Sequence, residues 1–457
     1  MTTNDNTSLP TRAMEPIKLD NLLINFTSEF HRIWNTQGSR AKSATFWRPA
    51  PAPDLLPGYF PLGDIVIPNN TSINGEIVAA VVCEGAFQDD GNSRGKALSR
   101  PTDFELVWKE SGAGAATRTS IWRPIAPQGY VALGMTCSSD HGKPSINAIR
   151  CVRADLVVSA DLGDLVWDDK GSGATLNFSA WSIDPPTAAA GEICFAPGTF
   201  IGVPTHNKPA INPSAYALRI HIPVQVSEPA EAPVLSTHMN PESGAAKVTQ
   251  IARLPWFTVR DYAQPNDGFH SSRYYDLKRT DQYVLVGYGR NTTEQTQSIK
   301  WKAPRAQNAA VMRLFNRHTA IEFTKAWPAA MLSDIRATKF SACLPRSFTH
   351  TETSSNEWSE SDSRVVIAMA AKHKSVAVYQ MESHYELVRE DGTEVTVPLG
   401  YTDDISFVMS EYPPEAVETA TLITVMAGSP STETIKGGVS VVQQSSSESS
   451  AATDTAP

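Results

Sequence analysis

The chain has 457 residues, of which 41% are hydrophobic and 19% are charged, close to the composition of ordinary globular proteins. Its formal net charge is -9, whereas nucleic-acid binding requires a surplus of Lys and Arg to face the phosphates. These values argue against a nucleic-acid partner, a bundle of membrane-spanning helices and a disordered scaffold.

The start of the chain is polar, and its nearest apolar run, Leu22, Leu23 and Ile24, is too short for the core of a signal peptide. No run approaches the ~20 apolar residues of a membrane-spanning helix. We therefore expect a soluble protein without a classical signal peptide. It would stay in the cytoplasm until release and then act at a target membrane, and the route of export is left open.

Tryptophan recurs in pairs along the first half of the chain. The pairs are Trp34 and Trp47, Trp108 and Trp122, and Trp167 and Trp181. Residues 104–108 (FELVW) and 163–167 (GDLVW) match, and each is a short β-type run followed by a glycine-rich loop and the second tryptophan. The pattern predicts three copies of a strand, loop and strand unit, of which the third is the most divergent.

A copy of ~60 residues with short strands cannot bury both of its faces alone, so three copies are expected to share one core. We predict that they pack around a pseudo-three-fold axis as a β-prism. In this interpretation the tryptophans are core residues that bury ~150–250 Å² each and bond through the indole N–H.

The first two copies share Trp-Arg-Pro, with Arg48 and Arg123 after the second tryptophan. Residues 122–134 (WRPIAPQGYVALG) and 144–153 (PSINAIRCVR) resemble the vacuolar protein sorting-associated protein 62 family, over about residues 30–215. Similar repeats occur in the adaptor-binding region of the large lipid-transfer proteins of the vacuolar protein sorting 13 class. The resemblance implies recognition rather than catalysis, and Ser182 departs from the motif in the third copy.

The second half is predicted to be β-rich with some helix, because residues 282–288 read as a strand and residues 307–315 have helical apolar spacing. A Pro- and Ala-rich stretch precedes it. The predicted organisation is a flexible N-terminus (1–21), the β-prism-like domain (22–222), a linker (223–240), a β-rich, membrane-inserting candidate domain (241–440) and a disordered tail (441–457).

Ser and Thr alternate in residues 347–353, and an apolar run follows at residues 365–369. Long alternating strands of this kind resemble those of aerolysin-type pore-forming toxins, which must be soluble before insertion and face lipid and water afterwards. An ordinary antiparallel sheet with one solvated face explains the same pattern. The candidate membrane-inserting residues are Ser347, Thr349, Thr351, Thr353, Val365, Ile367, Tyr379 and Met381.

The usual hydrolase and nucleotide-binding motifs are missing from the sequence, and no two of the five cysteines have metal-site spacing. We predict a non-enzymatic protein with no catalytic, cofactor-binding or metal-binding residues. The leading hypothesis is a β-pore-forming toxin, insecticidal or cytolytic, that binds a membrane surface or a glycan or protein receptor and forms homo-oligomers. The alternatives are an intracellular trafficking or scaffold adaptor that binds peptides or lipids, and a carbohydrate-binding protein.

Overall fold

The computed structural model describes residues 15–86, 94–111, 116–209, 214–259, 261–262, 274–306, 308–318, 339–345, 347–348, 364–414, 420–426 and 432–437. Of the residues that the structure describes, 49% are in strands and 3% in helix, which confirms the predicted mainly-β class. The predicted tail and most of the predicted flexible N-terminus lie outside the described residues.

The first half consists of short strands, which we assign to a first copy (residues 22–84), a second copy (98–153) and a third copy (157–221). The strands are β1 (Ile17–Leu19), β2 (Leu22–Thr27), β3 (Phe30–Asn35), β4 (Thr45–Pro49), β5 (Phe60–Pro61), β6 (Ile65–Ile67), β7 (Ala79–Glu84), β8 (Leu98–Ser99), β9 (Asp103–Lys109), β10 (Ser120–Ile125), β11 (Tyr130–Val131), β12 (Thr136–Ser138), β13 (Cys151–Arg153), β14 (Val157–Asp168), β15 (Ser179–Asp184), β16 (Glu192–Phe195), β17 (Phe200–Val203) and β18 (Ala215–His221).

Strand pairing follows the same order in each copy. One unit is β3-β4-β6 in the first copy, β9-β10-β12 in the second and β14-β15-β17 in the third. The other unit is β2-β7-β5 in the first copy, β8-β13-β11 in the second and β14-β18-β16 in the third. The long β14 belongs to both units of its copy, because it pairs with β15 and with β18. All of these pairs are antiparallel. The arrangement of the copies as a β-prism stays a prediction.

The second half contains longer strands and one described helix. Its elements are β19 (Val224–Val226), β20 (Lys247–Pro255), β21 (Tyr274–Arg290), β22 (Gln297–Lys302), α1 (Ala309–His318), β23 (Phe340–Cys343), β24 (Arg364–Ala370), β25 (Ser375–Arg389), β26 (Leu399–Tyr412), β27 (Ala420–Met426) and β28 (Thr432–Gly437). The helix overlaps residues 307–315, where the apolar spacing predicted one. The strands form a long sheet, β19-β20-β21-β25-β26, and a small sheet, β22-β24-β27-β28.

The small sheet packs on the long sheet over two glycines of β21. A Cβ added at Gly287 in β21 would lie 2.2 Å from the Trp301 ring, and one added at Gly289 would lie 2.5 Å from Ile299. Ala368 and Ala370 of β24 are buried in the same layer. The two sheets therefore approach closely, because glycine leaves room for an indole directly over the strand.

The opposite face of the long sheet is covered by a stretch that overlaps the predicted linker of residues 223–240. We call residues 227–246 the strap: its Leu235 packs against Ala377 and Tyr379 of β25. The Gly244 N–H donates to the Tyr283 carbonyl at 2.7 Å, so the strap also bonds to the edge of β21. As a result β25 is buried from both sides.

The two halves share a hydrophobic core and one sheet. Strand β23 comes from the second half and pairs with β16 of the third copy. Phe26 and Phe195 of the first half pack with Trp256 and Phe257 of the second, at ring centroid distances of 5.3 to 5.7 Å. The halves are therefore joined by apolar burial and by main-chain hydrogen bonds.

All five cysteines are free thiols. Burial raises the pKa of Cys151 to about 12, and burial together with the nearby Glu192 raises the pKa of Cys194 to about 11. A thiol with a raised pKa holds little of the reactive thiolate near neutral pH.

We expect iodoacetamide at pH 8 to label Cys151 and Cys194 at least ~100-fold more slowly in the folded protein than in guanidinium chloride, because the thiolate fraction falls by that factor or more. Peptide mass spectrometry of timed samples measures both rates. Equal rates for Cys151 in folded and denatured protein would contradict the assigned burial.

Candidate functional site

The first tryptophan of each copy lies in one shared cluster. Trp34, Trp108 and Trp167 are all buried, and their ring centroids lie 6.0, 6.3 and 6.0 Å apart for the three possible pairs. Phe46 and Phe178 pack against them at 5.5 to 5.9 Å. Tilted and edge-to-face contacts of this kind stabilise beyond the area that they bury.

The indole N–H groups of the cluster connect the copies in a closed cycle. Each donates to a main-chain carbonyl of another copy, always five residues before the second tryptophan there. The bonds are Trp34 to Thr117 at 3.0 Å, Trp108 to Leu176 at 3.0 Å and Trp167 to Lys42 at 2.9 Å. Each copy therefore supplies the acceptor that its neighbour needs, and no indole N–H of the cluster is left unsatisfied in the core.

The third copy adds a buried polar group to this cycle. The Asp169 carboxylate accepts the Trp108 indole N–H at 3.0 Å and the Phe178 main-chain N–H at 2.8 Å. His206 lies 2.6 Å from the same carboxylate. Asp169 belongs to the acidic run at residues 161–169, so part of that run is structural.

The second tryptophans lie nearer the periphery. The indole N–H groups of Trp122 and Trp181 donate at 2.8 Å to Ser120 and Ser179, two residues before each of them. Thr45 holds that position before Trp47, and its hydroxyl donates instead to the Asn69 carbonyl at 2.7 Å. The Trp47 indole N–H has no hydrogen-bond partner among the described residues.

The arginines of the shared Trp-Arg-Pro motif have different surroundings. Arg48 makes two 2.8 Å bonds to the fully buried Asp64 and one of 2.6 Å to the Cys137 carbonyl of the second copy. Arg123 pairs with Glu105 at 2.8 Å on the surface. Loss of Arg48 would leave a buried carboxylate without its cation, whereas an exposed pair contributes little to stability.

A cleft of about 780 Å³ opens beside Arg48. Its lining includes the proline-rich run of residues 49–53, Phe60 and Pro61 of the first copy, and Asn147 and Ala148 of the second copy. The Arg150 guanidinium carbon lies 3.5 Å from the centre of the Phe60 ring, which holds that ring in place. Sequence reasoning missed this cleft, although the alternating prolines of residues 49–53 indicate a stiff, extended wall.

The candidate membrane-inserting residues are dispersed. Val365 and Ile367 are half-buried in β24, Tyr379 is fully buried in β25, and Met381 is half-buried where the β25–β26 register shifts. Thr349, Thr351 and Thr353 lie outside the described residues.

Ser347 lies in a turn and not in the predicted strand. Its carbonyl accepts hydrogen bonds from Gln250 at 2.9 Å and from Arg279 at 3.1 Å. Arg279 in turn pairs with the buried Asp281 at 2.9 Å. These side chains fix the Ser347 main chain against β20 and β21, which the Ser/Thr alternation alone could not reveal.

In the part of the chain that the structure describes, no group of three or more His, Cys, Asp or Glu side chains is placed to hold a metal ion. Within the same residues, no helix is long and apolar enough to cross a membrane.

Comparison with known families finds one match, in the first half. Residues 7–228 match the model of the family described as vacuolar protein sorting-associated protein 62. The resemblance carried by the paired tryptophans and the Trp-Arg-Pro motif is thereby confirmed for this half of the chain. No curated protein matches the sequence.

Two solved structures show a loose likeness. One is GNIP1Aa from Chromobacterium piscinae, with 26% identity over 44% of this chain and 37% of that chain, at a TM-score of 0.36. The other is Cry35Ab1, with 9% identity over 87% of this chain and 91% of that chain, at a TM-score of 0.34. The match thus spans little more than a third of GNIP1Aa, and at these TM-scores neither likeness carries an argument about function.

We expect Trp108→Ala to lower the free energy of unfolding by about 3–5 kcal/mol, because it removes a buried indole that contacts both other tryptophans of the cluster. Leu106→Ala, two residues away and exposed, is the matched control and should change stability by no more than about 0.5 kcal/mol. Urea unfolding followed by circular dichroism measures both. A Trp108→Ala protein of unchanged stability would show that the cluster is not structural.

Proposed function

We propose that the protein is a non-enzymatic recognition and membrane-active protein, a β-pore-forming toxin of the insecticidal or cytolytic type. The observation that carries the proposal is the length of three paired strands. β21, β25 and β26 contain 17, 15 and 14 residues, and the β21–β25 register runs from Tyr275 to Arg290 with a single shift. A strand of ~9–11 residues suffices to cross a bilayer.

The small sheet offers a segment that could leave the long sheet. In β24, Val366, Ala368 and Ala370 are buried against the long sheet, while Val365 and Ile367 are half-buried on the other face. Both faces of this strand are therefore apolar, as a strand that exchanges a protein surface for lipid requires. The buried face of β24 itself carries one valine and two alanines, which bury less apolar area than larger side chains would.

The first half supplies the recognition part of the proposal. It presents the cleft beside Arg48, and we expect its partner to be a membrane surface or a glycan or protein receptor on a cell. Homo-oligomerisation at the membrane belongs to the same proposal, because a pore needs strands from several copies.

The test is a disulfide between the two sheets. A Cβ at Gly287 would lie 2.2 Å from the Cγ of Trp301, so cysteines at both positions are close enough to form a disulfide. In the oxidised Gly287→Cys/Trp301→Cys protein, β22 cannot separate from β21. We expect it to release no dye from liposomes of target-cell lipids, and we expect dithiothreitol to restore the release.

The reduced Gly287→Cys/Trp301→Cys protein is the control for loss of the Trp301 indole. Wild-type protein with dithiothreitol is the control for the reductant. Leakage by the oxidised variant equal to that of its reduced form would rule out separation of the sheets as the membrane-active step. Binding to a glycan array without any leakage by wild type would instead favour the carbohydrate-binding alternative.

A further inference from the structure

One copy already holds an extended segment of this chain on the edge of its sheet. Strand β23 pairs antiparallel with β16, from Phe340 opposite Phe195 to Cys343 opposite Glu192. Just before the strand, the Lys339 carbonyl accepts the Ala196 N–H at 2.8 Å. This is strand addition to a sheet edge, in which main-chain bonds supply affinity and side-chain pockets supply selectivity.

The side-chain pocket in the third copy is built for a cation. The Lys339 ammonium group lies 2.6 Å from Asp184, 3.0 Å from the Ser182 hydroxyl and 3.6 Å from Asp164. The Ser341 hydroxyl donates to the Pro186 carbonyl. The segment therefore docks through its first residue, through its main chain and through one hydroxyl.

The equivalent positions in the first copy follow from spacing. Ser182, Asp184 and Pro186 lie one, three and five residues after Trp181, and the same distances after Trp47 give Arg48, Ala50 and Ala52. Asp164 lies three residues before Trp167, and His31 lies three residues before Trp34. Phe195 pairs with Leu218 of β18 as Phe60 pairs with Val82 of β7, so Phe60 and Pro61 correspond to Phe195 and Ala196.

All of these first-copy positions line the 780 Å³ cleft. They are His31, Arg48, Ala50, Ala52, Phe60 and Pro61. The cleft of the first copy is thus the counterpart of the groove in which the third copy holds residues 339–343. Like β16 in the third copy, β5 offers a main-chain edge to an extended chain, because it is the last strand of its sheet.

We propose that this cleft binds an extended peptide of a partner protein, added at the edge of β5, with an acidic side chain at the position that Lys339 has in the third copy. The two carboxylates that face Lys339 are replaced by His31 and Ala50, and the Ser182 hydroxyl is replaced by the Arg48 guanidinium. The pocket therefore lacks the two carboxylates that hold a cation in the third copy, and it presents the guanidinium of Arg48, itself bonded to Asp64, in place of a hydroxyl.

Arg48 retains a hydrogen-bond donor for an acidic side chain. Its Nε and Nη2 atoms bind Asp64 and Cys137, whereas Nη1 makes no hydrogen bond among the described residues. Glu29 also lines the cleft. It lies five residues before Trp34 and so corresponds to Leu162, five residues before Trp167. The Leu162 carbonyl accepts a hydrogen bond from Lys208 and not from Lys339. Pro61 has no N–H, so the first copy lacks the main-chain hydrogen bond that Ala196 donates to the docked segment in the third copy. Binding of a peptide in the first copy would therefore depend more on the contact of its acidic side chain with Arg48.

The experiment uses two synthetic peptides, EFSASL and KFSASL, which carry residues 339–344 with Ser for Cys343 and either Glu or Lys at the first position. Both have blocked ends and a fluorescein label. We expect the full-length wild-type protein to bind the Glu peptide with a Kd about tenfold lower than that for the Lys peptide, measured by fluorescence anisotropy at low salt.

The decisive variant is His31→Asp/Ala50→Asp, which gives the cleft the two carboxylates of the third copy. We expect its preference to reverse in favour of the Lys peptide. Leu106→Asp, an exposed position of the second copy outside the cleft, adds a negative charge as the control and should leave the preference of wild type unchanged. Thermal unfolding of each variant verifies that it is folded.

Hydrogen exchange of the wild-type protein needs no variant and locates the bound peptide. The Glu peptide should protect residues 48–61 and leave residues 192–196 unchanged. Binding of neither peptide at millimolar concentration, protection elsewhere, or an unchanged preference in a folded His31→Asp/Ala50→Asp protein would each overturn the proposal. The outcome is independent of the liposome test, because peptide binding requires no membrane activity.

Discussion

The cycle of indole hydrogen bonds at the centre of the first half is the constraint on which the three copies depend. A tryptophan buried in a core is more stable when its N–H finds an acceptor, since an unsatisfied buried donor costs about 1–3 kcal/mol. Trp34, Trp108 and Trp167 each find it in another copy. No copy can therefore satisfy its own core, and the same three bonds that hold the copies together also set their order around the cluster.

Once the cluster holds the copies, their outer surfaces are free to diverge. The position after the second tryptophan is an arginine bound to a buried carboxylate in the first copy, an arginine in a surface pair in the second and a serine near Lys339 in the third. A common core with different outer residues lets one architecture present several sites. The edge that β23 covers in the third copy is an open cleft in the first.

The second half is organised around β25, which is buried by a layer on each face. The small sheet covers one side through Val376 and Val378, and the strap covers the other through Ala377 and Tyr379. The two layers are attached in different ways. The small sheet packs closely over glycines of β21, whereas the strap is held by separate hydrogen bonds along its length. Any rearrangement of this half must expose one of these two faces.

The sequence by itself determined the β class, the paired tryptophans and the family resemblance of the first half, because each depends on local pattern and spacing. The helix near residue 309 was also predictable from its apolar period. The tertiary structure alone decided the rest: that the strap packs on a sheet, that Ser347 is held in a turn by Arg279, and that β23 pairs with β16 about 150 residues earlier in the chain. The cleft beside Arg48 also depends on pairings between distant residues, and hydrogen bonds at such separations leave no periodic signal along the chain.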